Sequence, residues 1–275
     1  MRRSIIVLSL VIGLVAAGWA PPALAAPQAW RPPLAAAIKY AQQRHGEIEF
    51  AVRTQKHLWA YHSTRTMPSA SVIKAMALVA YLNHRDVRNR SLNSGDLNLI
   101  GPMIRRSDDA AASRVVSYIG LWRLRALARR VGMKHFSTRA VGGCASCSRS
   151  WGNSRINASD QSRFLLHIDD FTVPRHRAEA LKLLSSITSS QRWGIWKSRP
   201  NGWMLYAKGG WGLGTGWVDH QVGLLKRGNL RVGIAILQHN TGSHAYGKNT
   251  LRALGKLLTR GLDSATVVER RHLGA

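Results

Sequence analysis

The sequence predicts an α+β fold: one antiparallel five-stranded sheet built from N- and C-terminal segments, flanked by helices, with a helical insertion lobe between its two halves. Three observations carry that prediction. Strand-like patterns fall into two groups, at 48–61 and at 203–237. Helix-like periodicity fills most of the interval between them. One further helix near each end remains to cover a sheet face, and the insertion packs against the other.

Pro32 and Pro33 open a helix through Arg44, which Gly46 ends. Residues 48–53 read as a strand. Lys56-His57 turns the chain, and 58–61 is the hairpin partner. Residues 71–84 read as a helix, because Ile73, Ala77, Leu78, Tyr81 and Leu82 recur at three- and four-residue steps. Helices follow at about 95–105, 109–118 and 120–131. Ser, Gly and Asn make 137–157 a loop. Ser159-Asp160 starts a helix toward Asp169, and Pro174 starts one toward Ile187. Strands are expected at 203–208, 217–225 and 230–237, the last two joined at Gly228-Asn229. A final helix spans about 249–262, and 263–275 is a tail.

Residues 1–25 read as a signal peptide. Arg2 and Arg3 precede an apolar stretch too short for a comfortable membrane span, and Ala23-Leu24-Ala25 is a small-x-small cleavage site. An uncleaved anchor is the alternative. Export places the domain at 26–262 in the wall or periplasm, as a monomer. Net charge is +27, two fewer without Arg2 and Arg3. Such a surface attracts polyanions, here an anionic wall polymer or a membrane surface. Nucleic acid is disfavoured by the lack of zinc-finger spacing, an RNP-like motif or a phosphate loop. Cys144 and Cys147 are too few to close a metal site; a local disulfide and a redox-active pair both remain open. The eleven histidines contain no His-Glu-x-x-His, so neither a metal nor another cofactor is expected.

Three short motifs point to chemistry. Ser71 and Lys74 stand at i and i+3, on one face of a helix. Near the helix start, free N–H groups favour an oxyanion. A serine hydroxyl attacks well only after a base takes its proton, and a lysine is that base only if burial or a neighbouring cation lowers its pKa. Ser107-Asp108-Asp109 offers a second hydroxyl to relay the proton, with Asp109 facing a substrate amide. Lys208-Gly209-Gly210-Trp211 ends a strand, where glycines let a substrate backbone approach and Lys208 holds an anion. The N–H groups of Trp211 and Ser71 would form an oxyanion hole. Each motif alone also reads plainly, as a capped helix, an N-cap or a basic turn. Their conjunction, in this order, favours acyl transfer.

On these residues the chain resembles the class A β-lactamase and penicillin-binding-protein superfamily, whose motifs are Ser-x-x-Lys, Ser-Asp-Asn and Lys-Thr-Gly. The resemblance runs from about residue 30 to 262, with a helical lobe at about 71–190. It implies that Ser71 is acylated by a β-lactam or a wall-peptide amide. Lys74 would be its partner, Ser107 the relay, Lys208 the carboxylate binder and Trp211 the second oxyanion donor. Four departures stand out. Asp109 replaces Asn, and an ionised carboxylate accepts hydrogen bonds without donating. Gly209 replaces a hydroxyl residue. Ser71 and Ser107 are only 36 residues apart. The stretch 137–157 holds the place of a loop bearing a catalytic glutamate, yet contains no Asp, Glu or His. Slow deacylation is the expectation, since a general base must lie within reach of its water. His220 and His239 are candidate substitutes for that base. Trp151-Gly152, Trp193-Gly194 and Trp211-Gly212 line either a cleft or the core. The rival class is a non-catalytic domain of the same fold that holds anionic wall polymer.

Overall fold

The computed structural model describes residues 30–138, 151–212 and 217–264. The expected signal peptide, Cys144 and Cys147, and the tail from 265 onward lie outside the described residues.

Helix α1 (Leu34–Gln42) leads into β1 (Glu47–Arg53) and β2 (Leu58–Tyr61). A two-residue strand β3 (Met67–Pro68) precedes the lobe, which contains α2 (Lys74–Leu82), α3 (Arg85–Arg88), α4 (Ser94–Arg105), α5 (Asp109–Ile119) and α6 (Leu121–Val131). Next come β4 (Arg155–Ile156), α7 (Ala158–Leu166), α8 (Ile168–Phe171) and α9 (Arg177–Ser185). The chain returns through β5 (Met204–Gly212), β6 (Val218–Arg227) and β7 (Leu230–His239), and α10 (His244–Leu258) follows.

The five long strands form one antiparallel sheet in the order β2-β1-β7-β6-β5, so the two ends of the chain pair along β1–β7. Their central segments read as near-continuous apolar runs because both faces are covered. Alternate residues serve different cores. Ala51, Ala235 and Leu237 join the core of the lobe, packed with α2, α5 and α7. Phe50, Val52, Ile234 and Ile236 join a second core with Ala37, Ala41, Leu251 and Leu254 of α1 and α10. Strand β5 is an edge of this sheet, which leaves one row of its backbone groups outside the ladder.

Four local expectations need correction. The helix predicted from 71 begins as a 3₁₀ turn, Ala70–Ile73, with α2 starting at Lys74. Within 137–157 there is short order: β4 pairs with β3, a contact between distant segments that no local pattern announces. Helix α7 starts one residue early, because Asn157 caps it by accepting from the Asp160 N–H at 2.7 Å. Helix α10 starts at His244 rather than near 249, because Ser243 accepts from the Tyr246 N–H.

Candidate active site

The Ser71 turn is held from two sides. Ala70 adopts a left-handed backbone (φ 43°), which starts the tight turn into α2. In a 3₁₀ turn side chains at i and i+3 eclipse, so Ser71 and Lys74 share a face more closely than in an α-helix. From the other side β5 presses in. A Cβ added at Gly210 would lie 2.7 Å from the Ser71 nitrogen and 2.8 Å from the Val72 nitrogen. Only glycine admits that approach, which lays the strand edge across the amides at the head of the turn.

The second hydroxyl comes from the link between α4 and α5. Asp108 caps α5, its carboxylate accepting from the Ala111 N–H at 2.7 Å. The Asp108 N–H returns to the Pro102 carbonyl at 3.2 Å. That tight reversal holds Ser107 in the left-handed region, at φ 61°. Such conformations are disfavoured for residues other than glycine and gather at functional sites.

Ser107 is where the charged side chains meet. Lys74 Nζ donates to the Ser107 carbonyl at 2.6 Å and lies 3.2 Å from its Oγ. Lys208 Nζ reaches the same Oγ at 2.9 Å and the Gly209 carbonyl at 2.7 Å. Lys74 also pairs with Asp109 Oδ1 at 2.5 Å. The Trp151 ring lies 4.9 Å from the Lys74 ammonium, and its Nε1 donates to Ser113 at 3.1 Å. The sequence reading pairs Lys74 with Ser71; the hydrogen bonds converge instead on Ser107, and among the described residues no lysine amine is bonded to the Ser71 hydroxyl. The carboxylate of Asp109 explains the shift, because an ionised acceptor holds an ammonium more strongly than a neutral hydroxyl does.

Burial sets the electrostatics. The side chain of Lys74 is 0% exposed, whereas that of Asp109 is 77% exposed. Desolvation lowers the Lys74 pKa, and Asp109 opposes that shift. Lys208 is lowered further, by burial first and by the Lys74 charge second. Two buried amines share one carboxylate, and the carboxylate is bonded to Lys74. Lys208 is therefore the member that favours the neutral form.

Gly209 has a steric reason. A Cβ there would sit 2.7 Å from the Trp193 ring, so that ring fills the space a hydroxyl side chain would need. Trp211 is about half exposed and pairs in register with Asp219. His220 is fully buried: Nε2–H donates to the Pro68 carbonyl at 2.8 Å, and Nδ1 accepts from the Gln238 N–H at 3.1 Å. Burial holds its pKa down at about 4. Both ring nitrogens are engaged, so His220 supports the segment before Ser71. His239 lies 3.6 Å from Glu47 at the C-terminal end of β7, separated from the motif strand β5 by β6.

Sequence reasoning missed Asp219 and His244. Asp219 is buried, and its Oδ1 lies 2.5 Å from His244 Nδ1. Thr241 donates to Oδ2 at 3.1 Å. The imidazole stacks on Trp211 (centroids 4.5 Å apart) and meets Trp193 edge-on. The available signal was Asp219-His220-Gln221, a polar run at the start of a strand whose middle, 222–225, is apolar. Two surface hollows lie elsewhere: about 510 Å³ beside Arg199, Tyr206 and Lys226, and about 270 Å³ beside Arg44 and Tyr61. Neither touches Ser71. The hydrogen bonds among the motif residues locate the site better than either hollow. Among the described residues no cluster of three or more His, Cys, Asp or Glu is placed to hold a metal, and no helix is long and apolar enough to cross a membrane.

The sheet, the helical lobe and the order of the motif residues are those of the β-lactamase type. The family model described as the β-lactamase enzyme family matches residues 97–262, more than half of the sequence, and the chain belongs to that family. The matched stretch includes Ser107, Asp109 and Lys208 and begins after Lys74. Among solved structures, the β-lactamase from Sphaerobacter thermophilus is 15% identical, with 82% of this chain and 95% of that one covered at a TM-score of 0.68. The chromosome-encoded β-lactamase of Vibrio parahaemolyticus is 17% identical, covering 84% and 100%, also at 0.68. A class A β-lactamase from Bacteroides cellulosilyticus is 13% identical, covering 86% and 100%, again at 0.68. At such identities the likeness concerns the fold. No curated protein matches the sequence significantly.

Proposed function

We propose that this protein is an exported acyl-transfer enzyme that forms an ester on Ser71 with a β-lactam or a wall-peptide amide, and releases it slowly. The carrying observation is the contact of two buried lysine amines with one hydroxyl, Ser107 Oγ, beside the Ser71 turn.

In this mechanism the unliganded site keeps its proton on Lys74, held by Asp109. A substrate carboxylate arriving at Lys208 favours the ammonium form there. One proton then moves from Lys74 to Ser107 Oγ, while the hydroxyl proton of Ser107 moves to Lys208. Lys74 becomes a neutral amine, three residues from Ser71, and takes the serine proton as Oγ attacks the carbonyl carbon. The developing oxyanion is received by the N–H groups of Ser71 and Trp211. The proton on Lys74 returns through Ser107 to the leaving nitrogen, and the C–N bond breaks.

Hydrolysis of the ester needs a base for water, and 137–157 provides no carboxylate or imidazole. The next acid, Asp160, is buried and accepts from the Asn157 amide at 3.1 Å. Incubation with benzylpenicillin is therefore expected to leave an adduct on the intact wild-type mass that persists for minutes and is absent from Ser71→Ala. Absence of added mass on wild type, or turnover as fast as that of resistance enzymes, would overturn the proposal.

A further inference from the structure

The charged groups of the site form a chain of contacts. Lys208 stands at one end and touches Ser107 Oγ at 2.9 Å. Ser107 Oγ lies 3.2 Å from Lys74, and Lys74 is paired with Asp109 at the other end. A ligand with its anion near Lys208 and its body along this row brings its far end to Asp109. Both lysines are buried, while the Asp109 side chain is 77% exposed. The ionised group a ligand meets first at that end is therefore an acceptor. One oxygen, Oδ1, serves Lys74; Oδ2 makes no hydrogen bond among the described residues. The site already shows what it does with a cation there. The Lys74 ammonium sits between this carboxylate and the face of Trp151, a pairing that suits an ammonium.

We propose that Asp109 is a specificity residue that selects substrates carrying an ammonium on the acyl side, opposite the carboxylate held by Lys208. This rests on the acyl-enzyme reading above and names its substrate class: zwitterionic amides or lactams. Recognition and activation are coupled. A substrate ammonium on Asp109 competes with Lys74 for the carboxylate and loosens the contact that keeps Lys74 protonated. A neutral acyl side chain leaves that contact intact, and an anionic one is repelled by Asp109. The overall charge of +27 works the other way, because it draws in the more anionic ligand. A preference for the ammonium therefore has to be local.

Three penicillins with one nucleus test this: ampicillin (side-chain ammonium), benzylpenicillin (neutral) and carbenicillin (side-chain carboxylate). Acylation is followed by intact mass at pH 6.5. Wild type is expected to acylate with ampicillin about tenfold faster than with benzylpenicillin, and with carbenicillin slowest. Asp109→Asn should erase the order and Asp109→Glu should keep it. The discrimination should shrink as salt rises. Calorimetry on Ser71→Ala measures the same preference without chemistry. An affinity order of ampicillin over carbenicillin that disappears in Ser71→Ala/Asp109→Asn upholds the ammonium site even if no ester ever forms, in which case the acyl-enzyme reading falls alone. Equal ratios in wild type and Asp109→Asn, by both measurements, overturn the assignment.

Discussion

Two carboxylate clusters stand on opposite faces of the β5–β6 hairpin, and they are built inside out relative to each other. In the first, the lysines are buried and the acid is exposed: 0% for Lys74 against 77% for Asp109. In the second, the acid is buried and its partner reaches solvent: 2% for Asp219 against 29% for His244. Burying an amine makes its charged form unfavourable, and in the first cluster the pKa values of both lysines are lowered, as the proposed base chemistry requires. Burying the Asp219 carboxylate also disfavours its charge and raises its pKa, but two hydrogen-bonding partners, His244 and Thr241, oppose that shift and hold the side chain in place. Asp219 ties β6 to Thr241 and to the start of α10, and Gly247 lets that helix come close, since a Cβ there would lie 2.1 Å from Oδ2. The contrast fits the proposed reactivity to one face and rigidity to the other.

Removing Lys74 strains the contrast most. Lys74→Met keeps the volume of a buried side chain while removing the amine and its charge. Acylation of wild type and variant by benzylpenicillin is expected to differ by about 10³-fold, the usual scale for a lost general base. Thermal stability is expected to hold or rise, because the substitution removes the desolvation cost of the buried amine and leaves Asp109, 77% exposed, to water. A variant that loses stability and keeps its rate would reverse the roles assigned to the two faces.

Glu49 sharpens the comparison as a carboxyl with no partner. It is fully buried on β1, neither oxygen has a hydrogen bond among the described residues, and burial pushes its pKa to about 9 despite Arg65 and Arg155. The native state therefore keeps the proton, while the unfolded chain releases it above its ordinary pKa of 4.5. Between those values the unfolded state binds fewer protons, so the Glu49 contribution is intact below pH 4.5 and is lost as pH rises toward 9. Glu49→Gln is expected to stabilise by about 3 kcal/mol at pH 7, from roughly 2.5 pH units at 1.36 kcal/mol each. The gain should vanish near pH 4 in urea unfolding. A gain independent of pH would mean that Glu49 is ionised in the native protein.

The sequence made the sheet legible because β1, β5, β6 and β7 alternate between two apolar cores, and burial on both faces leaves a run such as 230–237 with few polar interruptions. The motif residues were legible as well, since Ser71, Lys74, Ser107 and Lys208 fall in order on a turn, a helix start, a link and a strand. What lay beyond reach was register. Asp219 and His244 are 25 residues apart and meet only because α10 begins five residues earlier than periodicity suggests. The same holds for the steric claim of Trp193 on Gly209, and for the preference of Lys74 for Asp109 over Ser71. Each is a contest between distant partners, and local pattern carries no information about who wins.

The smallest expected effect tests the rigid face. In Asp219→Asn the remaining oxygen can accept from His244 or from Thr241, while the amide of the new side chain faces the other group. One buried hydrogen bond is lost or inverted, which costs about 1–2 kcal/mol. In a domain of this size the melting temperature should fall by about 3–8 °C. Acylation should change less than about threefold. The Trp211 N–H proposed to receive the oxyanion belongs to the backbone of β5 and is positioned by the β5–β6 ladder, where Trp211 faces residue 219 whatever its side chain. The indole stacked on His244 can tilt without moving that N–H. An Asp219→Asn protein that melts like wild type and acylates a hundredfold more slowly would make His244 a participant in the chemistry, and the two faces could no longer be assigned separate work.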